Sequence, residues 1–204
     1  MVTYIDWKRR RCFVEPTETP GRIRWQSTPL ALRFQICRAM REVVLGSTPS
    51  VQLTRRAESA LAEARTELAP VADSGGTVVV RDPAGDLRWW TWAGAGANAT
   101  LHATLLDAVD PLQRVDNVSL RLRRDLTVPA LRSAVTAAQD RPLAVPAVDD
   151  EALSGLKFST ALPRSIAVEA LGARLADPHG AATVLRELLR RPTEFRTLAV
   201  HPSR

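Results

Sequence analysis

Lys8, Arg9, Arg10 and Arg11 follow Trp7 without interruption, and Arg22-Ile23-Arg24-Trp25 repeats the pairing of guanidinium with indole a short distance on. Guanidinium groups make planar, bidentate contacts to phosphate, and indole rings stack on unpaired bases. Blocks of like charge repel one another, so four adjacent cations gain from a polyanion that neutralises them. The bland alternative is a solvated hairpin tip, with Trp7 and Trp25 serving as core. A second cationic pair, Arg55-Arg56, follows Thr54, a residue type that caps helices. Two cations in a first helical turn oppose the helix dipole at about 0.3–1 kcal/mol each. A phosphate at that helix end would reverse the sign, whereas two solvated arginines would simply bear the cost.

These residues carry the net charge of the chain. Residues 1–65 hold 12 Lys+Arg against 6 Asp+Glu, and the remaining 16 and 16 cancel, which accounts for the formal +6. A basic, aromatic-bearing front joined to a neutral back implies a surface for a polyanion, with nucleic acid first among candidates. Of the 28 cationic residues only Lys8 and Lys157 are lysines. That preference suits phosphate recognition and equally fits a general compositional habit.

Other chemistries find little support. The run Gly155-Leu156-Lys157-Phe158-Ser159 lacks the first glycine and the preceding strand of a phosphate-binding loop. His102, His179 and His201 are scattered, and no histidine or cysteine stands at metal-ligand spacing, so neither a metal nor another cofactor is implied. The adjacent acids Asp149, Asp150 and Glu151 read as a helix start, and no serine lies in a nucleophile-elbow context. Nothing argues for an enzyme. Cys12 and Cys37 are too few for a disulfide framework, which points to reduced thiols and a cytoplasmic setting. The longest uncharged stretch, Trp89–Leu106, is broken by glycines, Asn98 and His102, so no membrane span is expected.

The elements that must position the cations begin with strands Thr3–Trp7 and Arg11–Glu15, a hairpin with the cations at its tip, and a third strand at Arg22–Trp25. A helix capped by Thr28 is expected from Pro29 to Leu45. Its apolar stripe would be Leu32, Ile36, Cys37, Met40, Val43 and Val44, with Arg38 and Arg41 on the far side and Arg33 caught inside the stripe. The second helix starts after Thr54, with Ala57, Leu61, Ala64 and Leu68 as its core positions. Thr77–Arg81 and Leu87–Ala93 form a hairpin, Trp90 and Trp92 packing on the following helix (Ala97–Leu106) and Trp89 covering the opposite side. Val115–Leu122 is a strand leaving Arg121, Arg123 and Arg124 near one end, and Thr127 caps a helix over Val128–Gln139. Asp149 leads a short helix. Arg164–Ala176 and Pro178–Arg190 form a helical hairpin joined at Asp177-Pro178. The fold class is α+β: a small antiparallel barrel-like or sheet portion first, a mixed middle and a helical end. The division falls near residue 70, with the basic strands and two helices in 1–70 and the sheet and helical accessory part in 71–204.

Three blocks together resemble a known family. They are Asp6–Pro16 with Gly21-Arg22-Ile23-Arg24-Trp25; Arg88-Trp89-Trp90-Thr91-Trp92-Ala93-Gly94 with Ala97-Asn98-Ala99-Thr100-Leu101; and Gly155–Pro163 with Leu175-Ala176-Asp177. They are similar to the C-terminal accessory region of bacterial DEAD/DEAH-box helicases of superfamily 2, in the large-helicase-related group, and the similarity spans nearly all of the chain. The resemblance implies a small β-barrel and helical segments beside a nucleic-acid path. It places Trp7, Lys8–Arg11, Arg22, Arg24 and Trp25 on the barrel's late strands. The ATP-binding motifs of the family's motor domains are not in this sequence, so the resemblance implies a non-catalytic accessory module that binds a DNA or RNA backbone. The alternative is an interaction subunit completing a separate helicase motor polypeptide. An unpaired strand edge near Thr3–Trp7 would also permit a homo-oligomer.

Overall fold

The computed structural model describes residues 2–6, 9–16, 30–82, 84–113, 115–157 and 161–190. By internal contacts the chain divides into Met1–Leu30 and Ala31–Arg204.

In the first unit, alternating residues on either side of the cationic run pair as antiparallel strands β1 (Val2–Asp6) and β2 (Arg11–Val14). Asp6 lies opposite Arg11, Ile5 opposite Cys12 and Tyr4 opposite Phe13, and an irregularity at Thr3 brings Val2 opposite Val14. The Thr3 hydroxyl closes that irregularity by donating to the Phe13 carbonyl at 3.2 Å. The strand expected at Arg22–Trp25 lies outside the described residues, as does the Thr28 cap. Neither described sheet closes into a barrel, and among the described residues the N-terminal portion is a two-stranded sheet.

The second unit is built on a four-stranded sheet. Strands β3 (Gly76–Arg81) and β4 (Leu87–Trp90) form a hairpin whose turn is tied by mutual bonds between Asp82 and Asp86, with Gly85 at φ +83°. Strand β5 (Ser119–Leu122) pairs antiparallel with β4, and β6 (Leu188–Arg190) pairs parallel with β3. The expected strand from Val115 begins only at Ser119, because Asp116 turns the chain by accepting from the Val118 and Ser119 amides.

The described helices are α1 (Phe34–Val44), α2 (Arg55–Leu68), α3 (Gly94–Thr104), α4 (Val128–Gln139), α5 (Asp150–Ser154), α6 (Arg164–Leu175) and α7 (Pro178–Arg186). Their starts follow local rules. Thr54, Thr127, Asp149 and Asp177 each accept from the amide three residues on. The start of α3 is a close approach: Gly94 sits at φ +81°, and any Cβ there would lie 2.5 Å from the Leu32 carbonyl oxygen.

One face of the sheet forms the main core. Val79, Leu87, Trp89, Leu120 and Leu122 meet Ala97 and Leu101 of α3, Leu131 and Val135 of α4, and Val184 and Leu185 of α7. The other face carries Val71, Val78, Val80 and Trp92, with Val44, Leu68 and Trp90 packed against them. The tryptophan faces are thus the reverse of those expected: Trp89 goes under the helices, its indole N–H donating to the Thr77 hydroxyl at 2.8 Å. The reason is charge. Arg88 and Arg121 lie opposite one another across β4 and β5, on the Trp90 face, and guanidiniums need water or acids that a helix-covered core withholds.

Three further expectations are corrected. Helix α1 starts at Phe34, leaving Arg33 exposed ahead of it. It buries Cys37 and Arg41 and exposes Ile36 and Met40, because Arg41 finds an acid partner inside. The last helix stops at Arg186, and Leu188–Arg190 becomes a strand. Finally, α6 and α7 both pack on α3 and do not form a tight helical hairpin with each other.

Candidate nucleic-acid interface

The β1–β2 turn presents Arg9, Arg10 and Arg11, all exposed. Its shape is set locally, since the Asp6 carboxylate accepts from the Arg9 amide at 2.9 Å. Arg10 adopts φ +53°, the left-handed region where glycine sits freely and a side chain costs about 1–2 kcal/mol. Among the described residues none of the three guanidiniums has an ion pair or side-chain hydrogen bond. In the other unit, Arg55 and Arg56 occupy the first turn of α2, also exposed and without an ion pair among the described residues, although Glu58 shares that turn. Trp7, Lys8, Arg22, Arg24 and Trp25 lie outside the described residues.

Two residues on the hairpin were not singled out from the sequence. Tyr4 and Phe13 stand opposite one another with ring centroids 6.0 Å apart and planes tilted by 34°. They remain 62% and 51% exposed. Side chains two apart on a strand share a face, so Arg11 and Asp6 lie on the same side as this aromatic pair, while Ile5 and Cys12 lie on the other. The signal was present in the sequence: a turn closed by Asp6 and Arg11 brings positions 4 and 13 opposite each other.

The arginines of the large sheet behave differently. Arg124 reaches Asp86 at 2.7 Å, and Arg121 stands between Asp86 at 3.5 Å and Asp110 at 2.8 Å. Arg88 pairs with Asp82 at 2.9 Å and Arg123 with Asp125 at 3.2 Å. The hydrogen bond from Arg124, with help from Arg121, holds the Asp86 carboxyl below its ordinary value of 3.8.

Helix α1 turns its arginines inward. Glu187, between α7 and β6, takes Arg38 at 2.5 Å and Arg41 at 3.8 Å. Arg41 also donates to the Gly76 carbonyl at 3.3 Å, and Arg38 lies 4.6 Å from the centre of the Phe34 ring. Burial and the neighbouring Arg38 lower the Arg41 pKa, with Glu187 opposing. Burial likewise raises the Cys37 thiol, which keeps it protonated. The first 65 residues therefore spend part of their cationic excess on internal ties.

A cleft of about 400 Å³ is lined by Ala152, Gly155, Leu156, Lys157, Leu171 and Arg174, with neither a carboxylate nor an imidazole in its walls. No group of three His, Cys, Asp or Glu residues among the described residues could hold a metal ion. No described helix is long and apolar enough to cross a membrane. Comparison of the chain with protein-family models, with curated proteins and with solved structures found no match.

Proposed function

We propose that this chain is a non-catalytic nucleic-acid-binding module that grips the phosphate backbone with Arg9, Arg10 and Arg11 at one point and Arg55 and Arg56 at another. The observation that carries this reading is selective pairing. Arg88, Arg121, Arg123 and Arg124 are met by Asp82, Asp86, Asp110 and Asp125, whereas these five are exposed and have no ion pair among the described residues. Contacts of this kind position a protein on its ligand and leave base identity unread, so binding is sequence-tolerant. The resemblance to helicase accessory regions extends the proposal: the module would sit beside the nucleic-acid path of a superfamily 2 motor, with Trp7, Lys8, Arg22, Arg24 and Trp25 adding to the hairpin's contacts.

The test is fluorescence anisotropy with labelled DNA and RNA across a salt series. Binding should weaken linearly on logarithmic axes, with a slope of roughly 0.7–0.9 per phosphate neutralised. Flat isotherms at low salt would reject the reading. A second reading, an interaction subunit completing a separate helicase motor polypeptide, draws on the hairpin, since β1 and β2 each have one neighbouring strand among the described residues. Co-purification of a helicase motor polypeptide with the tagged chain would favour it.

A further inference from the structure

We propose that one face of the β1–β2 sheet is a stacking platform for single-stranded nucleic acid, in which Tyr4 and Phe13 receive unpaired bases and Arg11 holds the adjoining phosphate. The inference rests on the nucleic-acid reading and adds the class of strand recognised.

Two aromatic rings half or more exposed, side by side on a two-stranded sheet, leave apolar surface in water that a core would ordinarily cover. The register places Arg11 on the same face, one pleat repeat from Phe13, so a cation lies within reach of a strand whose bases occupy the rings. Asp6 is an acid on that face, and one of its oxygens already accepts from the Arg9 amide. The occupant follows from this combination. An aromatic ring takes the flat surface of a base, and in a duplex those surfaces are covered by neighbouring base pairs. A single strand offers them, and its phosphates offer the complementary charge. A two-stranded ribbon can instead enter the major groove of a duplex. That arrangement would use the same rings against base edges, and the experiment separates the two.

Anisotropy titrations would use a labelled oligothymidine of about 15 nucleotides, within the range one small β-fold covers, and a mixed-sequence duplex of equal length. The full chain carrying Tyr4→Leu and Phe13→Leu keeps apolar, strand-compatible side chains but loses both rings. It should lose roughly tenfold or more in single-strand affinity, with duplex affinity unchanged. The exchange Tyr4→Phe with Phe13→Tyr keeps two rings and should retain single-strand affinity. The salt slope for the single strand should not change in the leucine variant, because no phosphate contact has been removed. Equal losses on both probes, or no loss on either, would overturn the stacking platform while leaving phosphate binding in place. Failure of the unaltered chain to bind either probe at low salt would remove the nucleic-acid reading, and this inference with it.

Discussion

The turn between β1 and β2 and the end of the β3–β4–β5 sheet both concentrate arginines on short strands, yet they treat them in opposite ways. At the sheet end, Asp82, Asp86 and Asp110 face Arg88, Arg121 and Arg124 at 2.7–3.5 Å, and the charge is consumed inside the fold. At the hairpin tip Asp6 uses a carboxylate oxygen on the Arg9 amide, and Arg9, Arg10 and Arg11 are exposed. Arginine content alone therefore does not mark a binding surface. What marks it is whether the fold supplies an acid. Helix α1 makes the same point from the interior, where Arg38 and Arg41 share the Glu187 carboxylate and Arg41 also reaches Glu42 at 3.7 Å.

The comparison can be broken most forcefully at Glu187. Glu187→Ala takes the shared acid from two largely buried guanidiniums, leaving Arg41 only the more exposed Glu42 at 3.7 Å, and should cost about 2–3 kcal/mol in urea unfolding, less than a fully buried pair because the site is partly exposed. Nucleic-acid affinity should not rise, since the freed cations face inward. Next is Arg121→Ala, which removes a partner from both Asp86 and Asp110 and should cost about 1 kcal/mol in the same measurement with no change in binding.

Substitutions at the candidate site should move stability and binding in opposite directions. Arg10→Gly relieves a left-handed residue and should stabilise the hairpin by about 1 kcal/mol, read by hydrogen exchange of β1 and β2 amides, while weakening binding. Arg55→Ala with Arg56→Ala removes two unfavourable dipole interactions, a gain of about 0.3–1 kcal/mol each in thermal unfolding, and should also weaken binding. A pair of solvated arginines would show the first effect without the second.

The smallest effect concerns acid. Because Arg124 and Arg121 hold the folded Asp86 carboxyl below 3.8, the folded state binds that proton more weakly than the unfolded chain. Its contribution is fully present above that ordinary value and is lost as the pH falls through the lower, folded value. Asp86→Asn should flatten this part of the acid limb of a stability–pH profile and leave neutral-pH binding unchanged.

Much of this was legible where a few neighbouring residues decide the structure. Thr54, Thr127, Asp149 and Asp177 declare their helices because each accepts an amide three residues away, and Asp82–Asp86 declares its turn. The hairpin and its cations were legible for the same reason. Features fixed at long range were not. The inward rotation of Arg41 requires Glu187, far along the chain, and the strand Leu188–Arg190 continues the apolar spacing of the helix before it. The tryptophan faces fall between these cases, since Arg88 on the Trp90 side already argued against placing that side under helices. Tyr4 and Phe13 were overlooked because each is an ordinary strand residue until the register sets them together.

Salt-dependent binding by two triple variants tests the central contrast most directly. Arg9→Ala, Arg10→Ala and Arg11→Ala together should make the slope of log affinity against log salt shallower by about 2–3. Arg88→Ala, Arg121→Ala and Arg124→Ala together should leave the slope where it was and lower only stability. Equal changes in slope from the two triples, or a change from the sheet triple alone, would contradict the account.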